Sequence, residues 1–241
     1  LTNKLDQGFK EYEWRKKSKT FSDYLNYSEL SIKSPVWSGQ NLKKKTILIF
    51  SEQGIGDLIQ FSRYLFILKD TFSCKVILRL KQNLAHLFDD SLEVITESDK
   101  IPDHDFHNHL ASLPGIFYEK NKIFPKSINF IKENKNINIK WKKILNKYKG
   151  LKVGINSTAS SATTGDRIIP INEFRVLTKL KNINFFIIQK DFNKNNIKTI
   201  NQNSNVNYFE DLDKLGKPFQ DTIGLVKNLD LIITADTSLG H

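Results

Sequence analysis

Apolar residues fall into short continuous runs that alternate with segments of helical periodicity. The runs TILIF, CKVILRL and LEVIT are apolar at most positions, as expected for strands buried on both faces. Between the first two runs, the spacing of Leu58, Phe61, Leu65 and Leu68 indicates one side of a helix. A shorter helix is predicted around QNLAHLF, and a fourth strand in HDFHNHL, which ends in the turn SLPGIF. This alternation predicts a parallel sheet covered by helices.

The same alternation starts again at Leu151. Strands are predicted in LKVGI, INFFIIQK, VNYF and DLIITA, and helices in INEFRVLTKL and FQDTIGLVKNL. One more predicted helix, NIKWKKILNKYK, bridges to this second unit. The fold class is therefore predicted as α/β, with two Rossmann-like parallel-sheet domains over 46–148 and 149–241. The second domain is expected to be truncated, because the chain stops at DTSLGH directly after a strand.

Residues 1–45 lie before the first predicted domain. The stretch LTNKLDQGFKEYEWRKKS mixes apolar and aromatic residues with charges in the pattern of an amphipathic helix. The remainder is rich in Ser and Lys and contains Pro35 and Gly39, so it is predicted to be irregular. We interpret this region as a helix followed by a linker.

The 241 residues include 39% hydrophobic and 26% charged residues, enough to bury a substantial core. No apolar run approaches the roughly 20 residues of a membrane-spanning helix, and the N-terminus lacks the order of a signal peptide. The single cysteine, Cys74, lies in a predicted strand, which argues against a disulfide framework and favours a reducing, cytoplasmic compartment. Because the chain contains no methionine, we expect it to be an internal part of a longer protein.

The net charge of +11 suggests a polyanionic partner at first sight. The basic residues are mostly Lys scattered among Asn and Ile, as in KENKNINIKWKKILNKYK, without clustered Arg or interleaved aromatic residues. This distribution is typical of solvated faces. We therefore predict no nucleic-acid partner, and polyanion binding is kept only as a weak alternative.

A glycine-rich turn, SEQGIGDLIQFSRYL, follows the first predicted strand. A dinucleotide fingerprint would need a third glycine where Ile59 stands, and no Gly-Lys-Ser/Thr follows for a Walker loop. Gly54 and Gly56 would permit a tight turn with positive φ and the close approach of another molecule. Asp57 then lies at the start of a helix, where it either caps the helix or accepts a proton from a hydroxyl at the carboxyl edge of the sheet.

The corresponding turn of the second domain carries hydroxyl groups. Asp236, Thr237 and Ser238 follow the last strand, and their hydroxyls and free N–H groups either bind a phosphate or form an ordinary helix cap. Asp236 is better suited to orienting the loop or a sugar hydroxyl than to facing a phosphate.

Two further segments follow strands of the second domain. The loop STASSATTGDR, 157–167, is rich in hydroxyls and ends at Arg167, so it either wraps a diphosphate or is a flexible loop. Gln189 and Lys190 end the strand INFFIIQK, where Lys190 could neutralise a leaving group.

Acidic and histidine clusters give no convincing metal-ligand pattern. Asp-x-Asp triplets occur at 103–105 and 211–213, but such short patterns arise often by chance. In a regular strand His107 and His109 share one face, whereas His104 lies on the other. We predict no metal and no cofactor.

Several segments together resemble a known family. YEWR, SEQGIGDLIQFSRYL, ASLPGIF, LKVGI, GDRIIPI, IIQK, FQDTIGLV and LDLIITADTSLGH occur in the order and spacing of the glycosyltransferase region that follows tetratricopeptide repeats in many bacterial proteins. That region is similar to the ADP-heptose lipopolysaccharide heptosyltransferases. The resemblance covers nearly the whole chain.

The resemblance implies a GT-B architecture, with the acceptor mainly on the first domain and the nucleotide-sugar donor on the second. It implies inverting transfer without a metal, with Asp57 as the base, and it assigns Asp236, Thr237, Ser238 and His241 to the donor side. The acceptor would be a glycan, a lipid-linked glycan or a protein. The opening helix would be the tail of a repeat array, which places tetratricopeptide repeats upstream.

The sequence also departs from the family pattern. Asn156, Ser157 and Thr158 stand where family members commonly have Trp and Gly-Asn-Pro, and Gly240 replaces a usual Ala. Family members continue past the final His with a helix and further strands that complete the donor domain, so the chain as given is expected to be inactive. A non-catalytic glycan- or protein-binding module of the same fold is the alternative.

Overall fold

The computed structural model describes residues 4–19, 32–80, 84–88, 90–122, 129–158, 168–189, 192, 197, 200 and 205–241. The chain divides into two units, Leu1–Ile131 and Lys132–His241. Each unit is built around a four-stranded sheet in which neighbouring strands are parallel. The predicted α/β class with two parallel-sheet domains is therefore confirmed.

The sheet of the first unit has the strand order β3-β2-β1-β4. Its strands are β1 Thr46–Phe50, β2 Lys75–Leu80, β3 Glu93–Thr96 and β4 Phe106–His109. Its helices are α1 Leu5–Tyr12, α2 Ile55–Phe72 and α3 Leu113–Asn121. The strands coincide with the predicted apolar runs because the sheet is buried, and Ile47, Leu48 and Ile49 are completely inaccessible to solvent.

Helix α2 connects β1 to β2 and packs its apolar side inward. Leu58, Leu65 and Leu68 are buried, as their spacing predicted, and each stabilises the fold by roughly 2 kcal/mol. The helix ends at Ser73, whose backbone is left-handed with φ 48°. Although α2 has 18 residues, no helix in the described part of the chain is long and apolar enough to cross a membrane.

The segment that precedes β1 covers the outer edge of β4. Val36 forms a parallel bridge with His107. The Trp37 N–H donates to the His107 carbonyl at 2.8 Å, and the His107 N–H donates to the Pro35 carbonyl at 3.1 Å. Residues 32–45 contain no regular helix or strand, as predicted, but they pack on the first unit.

The sheet of the second unit has the order β7-β6-β5-β8. Its strands are β5 Leu151–Asn156, β6 Ile183–Ile187, β7 Val206–Tyr208 and β8 Leu231–Thr234. Among the described residues, its bounded helices include α4 Lys135–Leu145 and α5 Gln220–Val226. Helix α4 packs against α5, where the Trp141 indole N–H donates to Asp221 Oδ1 at 2.7 Å. For this reason the boundary between the units falls at 131/132, earlier than the expected 148/149.

The two sheets share one topology. In each sheet, the first strand in sequence lies between the second and the fourth. The second and third strands extend the sheet on one side of the first strand, and the fourth strand is added on its opposite side. The carboxyl ends of β1 and β4, and of β5 and β8, therefore meet at a topological switch point. Open α/β sheets bind their ligands at such points.

Two predicted elements of the first unit differ in the structure. The helix expected around QNLAHLF is a single 3-10 turn, Ala85–Leu87, because Phe88 becomes extended and pairs with Ile131. The segment SLPGIF, expected to be a turn, forms the N-cap and first residues of α3. Pro114 is tolerated there because the first N–H groups of a helix have no acceptor within it.

One predicted helix of the second unit is also interrupted. INEFRVLTKL forms two 3-10 turns, Ile171–Arg175 and Leu177–Lys179. The Thr178 hydroxyl is completely buried and lies 3.0 Å from the Arg175 carbonyl and 2.7 Å from the Ile200 carbonyl. These side-chain bonds compete with a continuous helical ladder and hold the tighter turn.

Candidate functional site

The glycine turn lies at the carboxyl end of β1, at the switch point of the first sheet. Gly54 is the N-cap of α2 with extended backbone, φ −84° and ψ 173°, and Gly56 lies in the first turn of the helix. The positive φ that Gly54 and Gly56 would permit occurs one residue earlier instead, at Gln53, with φ 71°. A Cβ at Gly54 would meet only Asp57 Oδ2, at 3.5 Å. The glycine therefore leaves open space beside the carboxylate.

Asp57 is the third residue of α2 and is partly exposed. Its Oδ2 accepts a hydrogen bond from the Gly54 N–H at 3.1 Å, so the side chain does cap the helix. Within the described part of the chain, Asp57 Oδ1 has no hydrogen-bond partner. The cap holds one oxygen of the carboxylate and leaves the other available to a ligand.

Glu52, a residue that the sequence analysis did not single out, is buried beside this turn. Its side chain is inaccessible to solvent and accepts from Arg15 Nη2 at 2.9 Å and from the N–H groups of Leu110 and Ala111 at 3.0 and 3.2 Å. Burial raises the pKa of Glu52, while Arg15 and the Ala111 N–H limit the rise. The carboxylate thus joins the chain after β1 to the chain after β4.

Arg15 comes from the N-terminal segment, which we define as residues 4–18. Besides Glu52, its guanidinium donates to Glu13 Oε1 and to Ser112 Oγ, both at 2.7 Å. Burial lowers the pKa of Arg15, but the bonds to Glu13 and Glu52 outweigh it and raise that pKa above its ordinary value. The YEWR motif therefore packs against the carboxyl edge of the first sheet.

Tyr12 gives the N-terminal segment a second contact with the turn. Its hydroxyl lies 2.9 Å from Gln53 Oε1 and 2.7 Å from Gln53 Nε2. Burial raises the pKa of Tyr12, so the phenol stays protonated at neutral pH. Gln53, the residue of this turn with positive φ, is thus held by the side chain of Tyr12 from the N-terminal segment.

At the switch point of the second sheet, a buried amide links two strand ends. Asn156, the last residue of β5, donates through Nδ2 to Thr234 Oγ1 at 3.2 Å and to Thr237 Oγ1 at 2.9 Å. Thr237 also caps the 3-10 turn Ser238–Gly240, since its Oγ1 accepts from the Leu239 N–H at 3.3 Å. Thr237 therefore caps the 3-10 turn and also lies at the edge of the second sheet where the donor is predicted to bind.

A second bond at this edge joins β5 to β6. The Ser157 hydroxyl donates to Gln189 Oε1 at 3.1 Å. Asn156 and Ser157, which sequence reasoning noted only as departures from a family pattern, thus connect the ends of three neighbouring strands. Their neighbours in sequence are strand and loop residues, and only the sheet order reveals the contacts.

The other predicted donor-side residues have different outcomes. Asp236 and His241 are exposed, and Ser238 is partly exposed. Arg167, Lys190 and most of the loop 157–167 lie outside the described residues.

The Asp-x-Asp triplets have local structural partners. Asp105 accepts from Lys45 Nζ and the Thr46 N–H, both at 2.8 Å. Asp213 accepts from the N–H groups of Asp221 and Thr222 at the start of α5, at 2.8 and 3.3 Å. Among the described residues, no three His, Cys, Asp or Glu side chains come together as metal ligands.

No protein-family model matches the sequence, and no curated protein matches it. Solved structures do match. A glycosyl transferase family 9 protein from Veillonella parvula DSM 2008 superposes with a TM-score of 0.58 at 10% identity, over 84% of this chain and 78% of that one. The E. coli heptosyltransferase WaaC, solved with ADP, gives 0.52 at 11% identity, over 80% and 82%. The chain has a GT-B-like fold.

A third similar structure is the iron-containing dodecameric glycosyltransferase TibC from enterotoxigenic E. coli H10407. Its TM-score is 0.55 at 13% identity, over 83% of this chain and 55% of that one. TibC has also been solved in complex with ADP-D-β-D-heptose. At these identities the likeness concerns the fold, and the chemistry has to be argued from the site.

Proposed function

We propose that the protein is a glycosyltransferase that moves a sugar from a nucleoside-diphosphate sugar to an acceptor hydroxyl, with inversion and without a bound metal. The observation that carries the proposal is Asp57 at the switch point of the first sheet, with Oδ2 held by Gly54 and Oδ1 available. A GT-B-like fold around that carboxylate supports the same reaction.

In this mechanism the first unit activates the acceptor. Asp57 Oδ1 takes the proton of the acceptor hydroxyl, and the oxygen attacks the anomeric carbon of the donor. The bond from that carbon to the diphosphate breaks, and the diphosphate leaves with the electron pair. A single displacement of this kind inverts the anomeric centre.

The second unit binds the donor in this proposal. The hydroxyls of Thr237 and Ser238 bind the diphosphate, and Arg167 and Lys190 neutralise its negative charge. Asp236 accepts a hydrogen bond from a hydroxyl of the donor sugar, and His241 is assigned to the donor side as well. Asn156 orients Thr237 through its 2.9 Å hydrogen bond. No cofactor takes part.

The acceptor is proposed to be a glycan, a lipid-linked glycan or a protein, and the reaction to take place in the cytoplasm. By the resemblance in sequence, tetratricopeptide repeats precede this region in the full-length protein and would present the acceptor. The experiments below therefore use the full-length protein.

The test replaces Asp57 by Asn and compares turnover of a panel of nucleoside-diphosphate sugars. Asn can still accept from the Gly54 N–H, so the helix cap is retained while the base is lost. We expect kcat to fall by about 10²- to 10⁴-fold. Asp70→Asn, an exposed carboxylate on the same helix, is the matched control and should leave kcat unchanged.

Undiminished turnover in Asp57→Asn would exclude Asp57 as the base. Calorimetry on the wild-type protein tests the donor side separately. If no nucleotide sugar binds, the protein is a binding module with this fold.

A further inference from the structure

A cavity of about 300 Å³ lies within the first unit, beneath the N-terminal segment. Helix α1 forms one wall, residues 36–38 form another and α3 forms a third, with Asn108 and Ser112 at the inner end. Its volume is at the lower end of the range for small-molecule sites. It therefore has room for a small ligand.

The walls of this cavity are held in place by contacts between α1 and α3. The Phe9 and Tyr118 rings lie 5.5 Å apart between centroids, and Asp6 pairs with Lys122. At Gly115 the two helices come so close that a Cβ would lie 3.2 Å from Phe9. The cavity is thus a built feature with two packed walls.

The lining combines apolar faces with hydrogen-bonding groups. Phe9 and Tyr118 present aromatic surface, while Lys16 lies 2.6 Å from Glu13 Oε2 and 3.4 Å from Asn108 Oδ1. The lining also carries Asp6, Lys10 and Glu119, and Asp6 is paired with Lys122. Counting that partner, three carboxylates face three ammonium groups, so the lining favours a neutral ligand that both donates and accepts hydrogen bonds. Sugars have this character, with C–H faces that stack on aromatic rings and hydroxyls around the edge.

We infer that this cavity binds a neutral sugar residue of the acceptor, at a distance from the reacting hydroxyl. The choice of a sugar rests on the proposed transferase function. The cavity is connected to the Asp57 turn through direct contacts, since Glu13 lines the cavity and binds Arg15, and Arg15 binds Glu52. The N-terminal segment is therefore part of the acceptor site.

The experiment measures binding of the full-length protein to an immobilised panel of neutral and acidic oligosaccharides, without any donor. The strongest neutral binder is then titrated by calorimetry against wild type and two cavity-filling variants. Val36→Trp and Glu119→Trp both enlarge exposed residues that line the cavity. Val176→Trp, an exposed valine of the second unit, is the matched control.

We expect each cavity-filling variant to weaken binding by about tenfold or more and Val176→Trp to leave it unchanged. Thermal unfolding checks that the variants are folded, and a second variant is included in case one is not. Wild type that binds no neutral glycan, or variants that bind as wild type does, would overturn the inference.

The two proposals fail in different ways. Suppose that wild type turns over and that both cavity-filling variants keep its KM for the acceptor. The cavity would then be rejected as an acceptor subsite, while the proposed transferase function would stand. Glycan binding that the variants abolish, in a protein without turnover, would support the cavity and reject the transferase. A homodimer that Val36→Trp dissociates would assign the cavity to a second copy of the chain and overturn the inference.

Discussion

Single side chains at the first switch point serve both the fold and the proposed chemistry. Asp57 caps α2 with one oxygen and can use the other in catalysis. The first N–H groups of a helix have no acceptor within it, so a carboxylate oxygen at that place can accept from one of them. The two readings of Asp57 that the sequence left open are thus compatible in one geometry.

A buried histidine gives the fold a defined pH dependence. His109 ends β4 and is 6% exposed, and burial lowers its pKa to about 2, with Lys16, Arg15 and His107 acting in the same direction. Because the unfolded chain binds this proton near pH 6.5 and the folded chain does not, stability is complete above that pH and falls below it. We expect wild type to lose about 1.4 kcal/mol between pH 7.5 and 5.5 from this group.

Urea unfolding at the two pH values measures this loss. His109→Gln removes the group that binds the proton. The difference in unfolding free energy between pH 7.5 and 5.5 should therefore be about 1.4 kcal/mol smaller than in wild type. His241→Gln, at an exposed histidine, is the control and should keep the wild-type difference. An unchanged pH dependence in His109→Gln would show that another group is responsible.

Some site residues could not be foreseen because their partners are far away in sequence. Glu52 follows a strand, and a glutamate at that place is ordinarily exposed; it is buried because Arg15, 37 residues earlier, and two N–H groups near residue 110 surround it. Asn156 and Thr237 are 81 residues apart. Asp57 could be singled out from the sequence because its signal is local, in a glycine turn followed by a helix, and its role stays a prediction.

At the scale of elements, a buried ion pair is among the contacts that hold the N-terminal segment. Arg15 and Glu52 have side chains 10% and 0% exposed. Removing Arg15 would leave the buried Glu52 carboxylate without its opposite charge, with only the N–H groups of Leu110 and Ala111 as partners among the described residues, and breaking a buried pair in this way costs about 3 to 5 kcal/mol. We expect Arg15→Ala to destabilise the protein by that order and to speed amide exchange in α1.

Chemical denaturation and hydrogen exchange measure the two effects. Lys10→Ala, at an exposed basic residue of the same segment, should change stability by less than about 0.5 kcal/mol. If Arg15→Ala were as stable as wild type, the ion pair would not hold the segment.

The elements also show where periodicity succeeds as a predictor. The eight strands of the described residues overlap the predicted segments. The signal is clearest for β1 and β2, whose continuous apolar runs are buried at all but their first positions, as expected for strands covered on both faces. Short helical segments were less predictable. The contacts of Thr178 with Ile200 and of Phe88 with Ile131 determine the local backbone there. Such contacts between distant residues cannot be predicted from the periodicity of a short segment.

At the scale of the whole molecule, each unit has its own core, so a local defect should stay within one unit. Gly224 in α5 lies where a Cβ would be 2.8 Å from the Trp141 ring and 2.9 Å from Ile137. We expect Gly224→Ala to cost about 1 to 3 kcal/mol through overpacking. Hydrogen exchange should increase in α4 and α5 and stay unchanged in β1 and β2.

Gly8→Ala is the matched control, because Gly8 is also helical and a Cβ there would meet nothing within 4 Å. It should stabilise the protein by about 0.5 to 1 kcal/mol through the helix propensity of alanine. A destabilising Gly8→Ala, or faster exchange in β1 of Gly224→Ala, would contradict this picture.

The contact between Arg15 and Ser112 also affects how the protein is made. The two residues are 97 positions apart, so α1 is synthesised long before α3, the helix on which it packs. At ordinary rates of translation the wait is roughly 5 to 20 seconds. During that time Phe9 lacks the surface formed by Gly115 and Tyr118 on which it packs, and a ribosome-associated chaperone can bind it. Although α1 is made before the rest of this unit, it is therefore among the last parts of the unit to reach its native position.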